Sequence, residues 1–353
     1  MRPDLPGPHG PTSAKPAGPA SAKPAGAASA KPAGATSAKP AGPASAKPAG
    51  PTPAKPAGPA PSEHAPATAA AALVRAHDAP GPTLVLRLDH LPRGALALGG
   101  ELAWLRRALA GTPYAGIGKI ALYRAAGPGR LDHRFVQALP TGFDFRAGCG
   151  HSLLACVVAD DRPGPVTVRA VTTGDTVLCE HEPQQDAYTL SFLRAPTAPG
   201  TLPTGRPVDL LDGVPVSLVR YGNPYVLVDT RHLPEDGLRE RLEGLRALAA
   251  RLLGHPPHSA LPKIAAFTAG PAGLSVRALT VGGWHPRLAL TGAAALAAAG
   301  ALDGTVVPPV DGEVRTPGGT VTVSTGPDRV RVHHKRAELL ERLVLPWRVH
   351  ATA

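Results

Sequence analysis

The chain has 353 residues with 43 prolines, 40 glycines and a net charge of +11. Its three cysteines, Cys149, Cys156 and Cys179, have neither the number of a disulfide framework nor metal-ligand spacing, which points to a reducing cytosol. No apolar run reaches the ~18 residues of a membrane helix; the longest candidate, LALTGAAALAAAGAL, is too short and mostly alanine.

From Ser13 an eight-residue unit repeats six times, from SAKPAGPA through SAKPAGAA to PAKPAGPA. Each unit carries one lysine, with proline and small residues but no large apolar side chain. Such a segment cannot bury enough surface to offset the entropy of ordering it. Residues 1–80 are therefore expected to be an extended, disordered arm. The tail through Ala70 holds seven basic against two acidic residues, a charge of +5 that leaves +6 for the remainder. Lysines spaced eight apart lack the density and aromatic interleaving of a nucleic-acid module, although an acidic partner could bind them. The N-terminus shows no apolar run of the signal-peptide kind.

Beyond the arm, short β-branched runs bounded by Gly, Pro or Asp predict strands: PTLVLRL, KIALYRA, HRFVQAL, VTVRAV, TVLCE, AYTLSFL, PVSLVRY, YVLVD, GLSVRAL, TVTVS and RVRVH. Four helices interrupt them. ELAWLRRALAG comes first and SLLACVVAD follows the glycine-flanked Cys149. EDGLRERLEGLRALAARLLG starts acidic and has Gly254 just past its end. TGAAALAAAG follows HPRLAL. Each half thus has one helix opened by a glycine-bearing turn, an α+β pattern with an internal repeat.

At Gly148-Cys149-Gly150-His151-Ser152 the chain is expected to turn from strand to helix. The first N–H groups of a helix have no intrahelical partner, so this end attracts anions. A thiol in that field favours its thiolate, which suits acid–base work, and the same N–H groups could hold a substrate carboxylate. A buried cysteine in a tight turn is the competing reading. Cys156, two helical turns on and about 10 Å away at ~1.5 Å per residue, is too distant for a disulfide and reads as core. So does Cys179.

GCGHSLLACVVAD resembles the first catalytic loop of the diaminopimelate epimerase and proline racemase superfamily. LPTGRPVDLLDGVPVSLVRYGNPYVLVD and HPRLALTGAAALAAAGALDGTVV resemble the hinge and the second central helix of its PrpF branch, the methylaconitate isomerase-like proteins. VRTPGGTVTVS is similar to that branch's ending. The resemblance implies a two-lobed diaminopimelate epimerase-like fold, each lobe a curved, mainly antiparallel sheet around a central helix. The first lobe would be 81–209 and the second 210–348, with the chain end packing back on the first.

What the resemblance implies about chemistry is proton transfer without a cofactor. Superfamily epimerases use a cysteine in each lobe, but Ala289 stands where the second would be. PrpF-like isomerases pair the first-lobe cysteine with a lysine, and GIGKIALY places Lys119 at that position. Lys119 and Cys149 are therefore the expected acid–base pair of an isomerase acting on an unsaturated di- or tricarboxylic acid. Gly150, His151, Ser152, Asn223, Thr291 and Gly292 would contact substrate. Alternatives stay open for two of them: Asn223 could instead shape the turn before Pro224, and His151 could cap the helix. His285 would be structural or lie behind the contact residues. The usual Arg-Gly-Gly-Thr-Ser-Lys-Gly loop is replaced by LRLDHLPRGALAL, retaining Arg87 and Arg93-Gly94, and the segment before the lysine is shortened to TPYAGIGK. These departures imply an altered substrate or a catalytically silent binding or scaffold protein; an epimerase using Cys149 with another partner is a separate alternative, which Ala289 disfavours. The expected partner is a small-molecule carboxylate, with a homodimer left open.

Overall fold

The computed structural model describes residues 68–91 and 94–347. The repeat arm up to residue 67 and Arg93 lie outside the described residues. The β-branched runs all form strands, and the order of elements repeats. In the first half, β1 (Thr68–Ala76), β2 (Thr83–Arg87), α1 (Ala95–Leu109), β3 (Lys119–Gly127), β4 (Arg130–Leu139) and β5 (Gly142–Asp144) precede α2 (Gly150–Asp160). β6 (Val166–Ala170), β7 (Thr176–Glu182) and β8 (Ala187–Phe192) follow it.

A short strand, β9 (Asp209–Leu211), leads into the second half. There β10 (Val214–Tyr221), β11 (Asn223–Asp229), α3 (Leu238–Leu252), β12 (Lys263–Gly270), β13 (Gly273–Thr280) and β14 (Gly283–Trp284) precede α4 (Leu290–Gly300). β15 (Gly312–Thr316), β16 (Gly319–Thr325), β17 (Val330–Lys335) and β18 (Ala337–Pro346) complete the chain.

Strand pairing makes the repeat explicit. β2 and β3 are parallel, as are β11 and β12. β3–β4 and β12–β13 are antiparallel hairpins, and β4–β6 and β13–β15 are parallel. The two halves join through the antiparallel β8–β17 pair, within one continuous sheet. β18 returns to the first half and pairs with β1.

β1 corrects the expected arm boundary. Thr68–Ala76 lies between β2 and β18, bonded to both, so the fold begins well before residue 81. Ala-rich TAAAALVRA has little strand propensity of its own. Two neighbouring ladders supply what propensity does not.

Helices α2 and α4 are the inner elements. α2 packs on β1, β2, β3, β4, β6 and β18, and α4 on β10, β11, β16 and β17. In α2, Leu153, Leu154 and Cys156 are buried; each fully buried leucine stabilises by about 1.5–3 kcal/mol. α4 can be enclosed because small residues, six of them alanine, make up most of it, and residues Ala293 to Ala299 are buried on every face. At its end a Cβ on Gly300 would sit 2.7 Å from the Pro308 carbonyl oxygen, so only glycine admits that loop. α2 stops where Asp161 takes a left-handed conformation. α3 closes on Gly254 (φ 70°), with His255 N–H donating to Ala250 O at 2.8 Å, a Schellman end.

Candidate active site

Cys149 and Ala289 occupy the same place in the two halves: each is the residue before the first turn of its inner helix. The two helix mouths meet, for a Cβ on Gly150 would fall 2.6 Å from the Leu290 side chain. Glycine is required there because the facing lobe fills the space. Between the mouths lies a cavity of about 530 Å³. Lys119, Cys149, Gly150, His151, Asn223 and Thr291, all expected at the site, line it together.

Ser152 and Gly292 are not among the lining residues. The Ser152 hydroxyl is fully buried and donates to the Cys149 carbonyl at 2.9 Å, with His133 Nε2 at 3.3 Å behind it. It braces the cysteine turn from within. Gly292 faces Tyr225 instead; a Cβ there would sit 2.8 Å from the Tyr225 hydroxyl.

Asn223 holds the cysteine loop to the other lobe. Its Oδ1 accepts from Gly148 N–H at 2.6 Å and its Nδ2 donates to Gly148 O at 2.8 Å, as a paired strand would. Nδ2 also reaches Thr291 Oγ1 at 3.3 Å, so the start of α4 is tied to the same clamp. The amide borders the cavity but spends its polar atoms on the backbone.

His151 does not cap α2, whose first turn has no side-chain cap. Its ring stacks on His285 with centroids 6.2 Å apart, and its Nε2 is buried without a partner. Burial, and then the nearby Lys119, push its pKa well below the ordinary value, so the ring is neutral. His285 lines the cavity too, closer to the chemistry than the sequence suggested. Its Nδ1 accepts from Arg287 N–H at 3.2 Å, which leaves the proton on Nε2. Burial holds its pKa down to about 4, so it offers a neutral N–H donor.

Lys119 opens β3 and is partly buried, with Nζ 3.4 Å from Gly81 O. Burial lowers its pKa while Cys149 opposes that effect. Pro80 lines the cavity beside it, so residues expected in the arm form part of the wall. Cys149 is half-buried at the cavity and backed by Phe135, Ala147 and Leu261. Cys156 and Cys179 are buried core, and burial pushes both thiols up.

Among the lining residues that the sequence did not single out, Lys263 carries a charge. Lys263 opens β12 as Lys119 opens β3, in KIAAF against KIALY, one residue before the isoleucine in each case. The residue is partly buried and its amine more deeply enclosed; burial brings its pKa down to about 8, with Cys149 opposing. The repeat of Lys-Ile-Ala was the available signal. Asp144 stands nearby, but its oxygens accept from Arg146 N–H, Ser259 Oγ and Ala260 N–H at 2.9, 3.2 and 2.7 Å, fixing the loop that leads into Lys263. No aspartate or glutamate is among the described residues that line the cavity. Two lysines, two neutral histidines and two helix N-termini make it a place for an anion.

No family model and no curated protein matches the chain. Among solved structures it is similar to methylitaconate-delta-isomerase, with a TM-score of 0.56 at 20% identity over 80% of this chain and 96% of that one. It is also similar to a hydroxyproline epimerase from Agrobacterium vitis with bound trans-4-OH-L-proline, with a TM-score of 0.50 at 17% identity over 79% and 92%. At these identities the likeness establishes the fold alone: the sheet-dominated α+β architecture described above is shared with both structures.

Proposed function

We propose that the chain is a cofactor-independent isomerase that moves a proton, and with it a double bond, within an unsaturated di- or tricarboxylic acid. Lys119 and Cys149 are its acid–base pair. The observation that carries this reading is the shared cavity: both groups border it between two helix mouths, among cationic and neutral donors and, among the described residues, no carboxylate to repel an acid.

The substrate carboxylate accepts hydrogen bonds from the first N–H groups of α2 and from those of Leu290 and Thr291 in α4, Gly292 N–H being already given to Ala289 O. Removal of a proton from the carbon next to, or conjugated with, that carboxylate spreads negative charge onto its oxygens. The same N–H groups and the His285 N–H stabilise that charge as it grows. One member of the pair takes the proton and the other returns one two carbons along, so the double bond shifts and the net composition is unchanged. A later exchange between ammonium and thiolate restores the starting state; the reaction direction decides which group acts first. Burial of Lys119 favours the neutral amine that a base needs. Ala289, at the place that mirrors Cys149, offers no second thiol, which disfavours two-cysteine racemisation.

The test is deuterium uptake in D₂O, followed by NMR, with a panel of aconitate-, itaconate- and oxalomesaconate-like acids. Exchange into at least one acid is expected, falling by at least about 10²-fold in Lys119→Ala and in Cys149→Ser. Exchange unaffected by both substitutions would overturn the site assignment. No exchange into any acid would favour the silent binding protein.

A further inference from the structure

A second, larger cavity of about 860 Å³ adjoins the first, and the two share Lys263, Leu279 and Thr280 in their walls. Its far side is α3, which presents Arg239, Glu243 and Arg246 at positions i, i+4 and i+7, a single helical face. Among the described residues Glu243 is the one carboxylate in the wall and is already engaged, with Arg239 Nε 3.1 Å from its Oε1. Arg246 is different. Its guanidinium makes one long bond, 3.4 Å, to the Ser259 carbonyl, and no carboxylate among the described residues pairs with it within 4.0 Å. Arg246 and Lys263 therefore border the same space as two cations that no carboxylate among the described residues bridges, and Arg246 adds a minor push to a lysine pKa that burial lowers and Cys149 and Asp144 raise. Asp144, the nearest buried acid, is committed to the Ser259–Ala260 backbone. Like charges held together in a cleft cost stability unless an anion joins them.

Resting on the isomerase reading above, we propose that this second cavity is the subsite for a further carboxylate of the substrate, anchored by Arg246, with Lys263 standing between it and the reaction cavity. The substrate is then an extended polycarboxylate whose remote anionic arm lies outside the reaction cavity. A guanidinium fits this task because it meets a carboxylate through two parallel N–H bonds.

Calorimetric titration of the full-length protein with two saturated, unreactive acids tests it. Butane-1,2,4-tricarboxylate carries a terminal carboxylate where ethylsuccinate ends in a methyl group. The wild-type protein is expected to bind the triacid about tenfold or more tightly than the diacid. Arg246→Met should remove that advantage and leave ethylsuccinate binding unchanged, and Arg246→Lys should recover part of it, which a merely structural arginine would not do. Glu243→Gln, which removes that carboxylate from the wall, should tighten triacid binding. Equal affinity of the two acids for wild type, equal weakening of both by Arg246→Met, or no saturable triacid binding would each overturn the subsite. The isomerase reading fails separately, when the triacid binds through Arg246 but no unsaturated acid exchanges deuterium.

Discussion

Lys263→Met replaces a buried amine by an apolar side chain of similar length, and its effect can be worked out from the site. Enclosure lowers the lysine from 10.5 to about 8. At about 1.36 kcal/mol per pH unit, the charged form is disfavoured in the folded protein by up to about 3 kcal/mol. Because the folded pKa lies below the unfolded one, both states are protonated below about pH 8 and the penalty is present in full. Between about pH 8 and pH 10.5 the folded state releases its proton first, and stability rises with pH. Methionine has no proton to release. The variant should therefore be more stable than wild type at neutral pH by up to about 3 kcal/mol, with the advantage shrinking toward pH 10.5. Urea unfolding of both proteins across this window isolates the lysine, since other groups titrate alike in both. A stability difference that stays constant with pH would refute the assignment of Lys263 as an enclosed cation.

Two further substitutions probe how the lobes meet. Gly150→Ala drives a methyl group to 2.6 Å from Leu290, and should cost about 1–3 kcal/mol in chemical unfolding, with much of it recovered in the Gly150→Ala, Leu290→Ala double variant. Asn223→Ala strips both clamp bonds from Gly148 and should cost about 1–3 kcal/mol, because it leaves the N–H and C=O without their partner. It should also lower deuterium exchange, since the clamp positions the loop that bears Cys149; exchange at the wild-type rate would show the clamp to be purely structural.

Where side-chain pattern and secondary structure agree locally, the sequence was readable. The β-branched runs became strands, the four helices formed, and the glycine-flanked Cys149 stands at the mouth of a buried helix. Among the strands that were not anticipated, β1 and β12 share a reason. TAAAALVRA and KIAAFTAG are alanine-rich, with weak intrinsic strand preference. Each is a strand because it lies between two partners, β2 and β18 for the first and β11 and β13 for the second. Missing β12 meant missing Lys263.

The order of elements and the glycine-flanked turn that carries Cys149 follow from residues near one another in the chain, whereas the role expected of Lys119 came from the family resemblance of GIGKIALY. Periodicity, glycine turns and helix polarity act over a few residues and can be read there. Other features depend on pairings across 75 residues or more: Asn223 clamping Gly148, Leu290 filling the space above Gly150, and Lys263 sharing a wall with Cys149. Burial changed what these side chains do. It made His151 and His285 neutral, turned Ser152 inward and enclosed an amine that would be an ordinary surface lysine on an isolated strand. Such environments exist only once both lobes have closed around the cavity, so only the tertiary structure decided them.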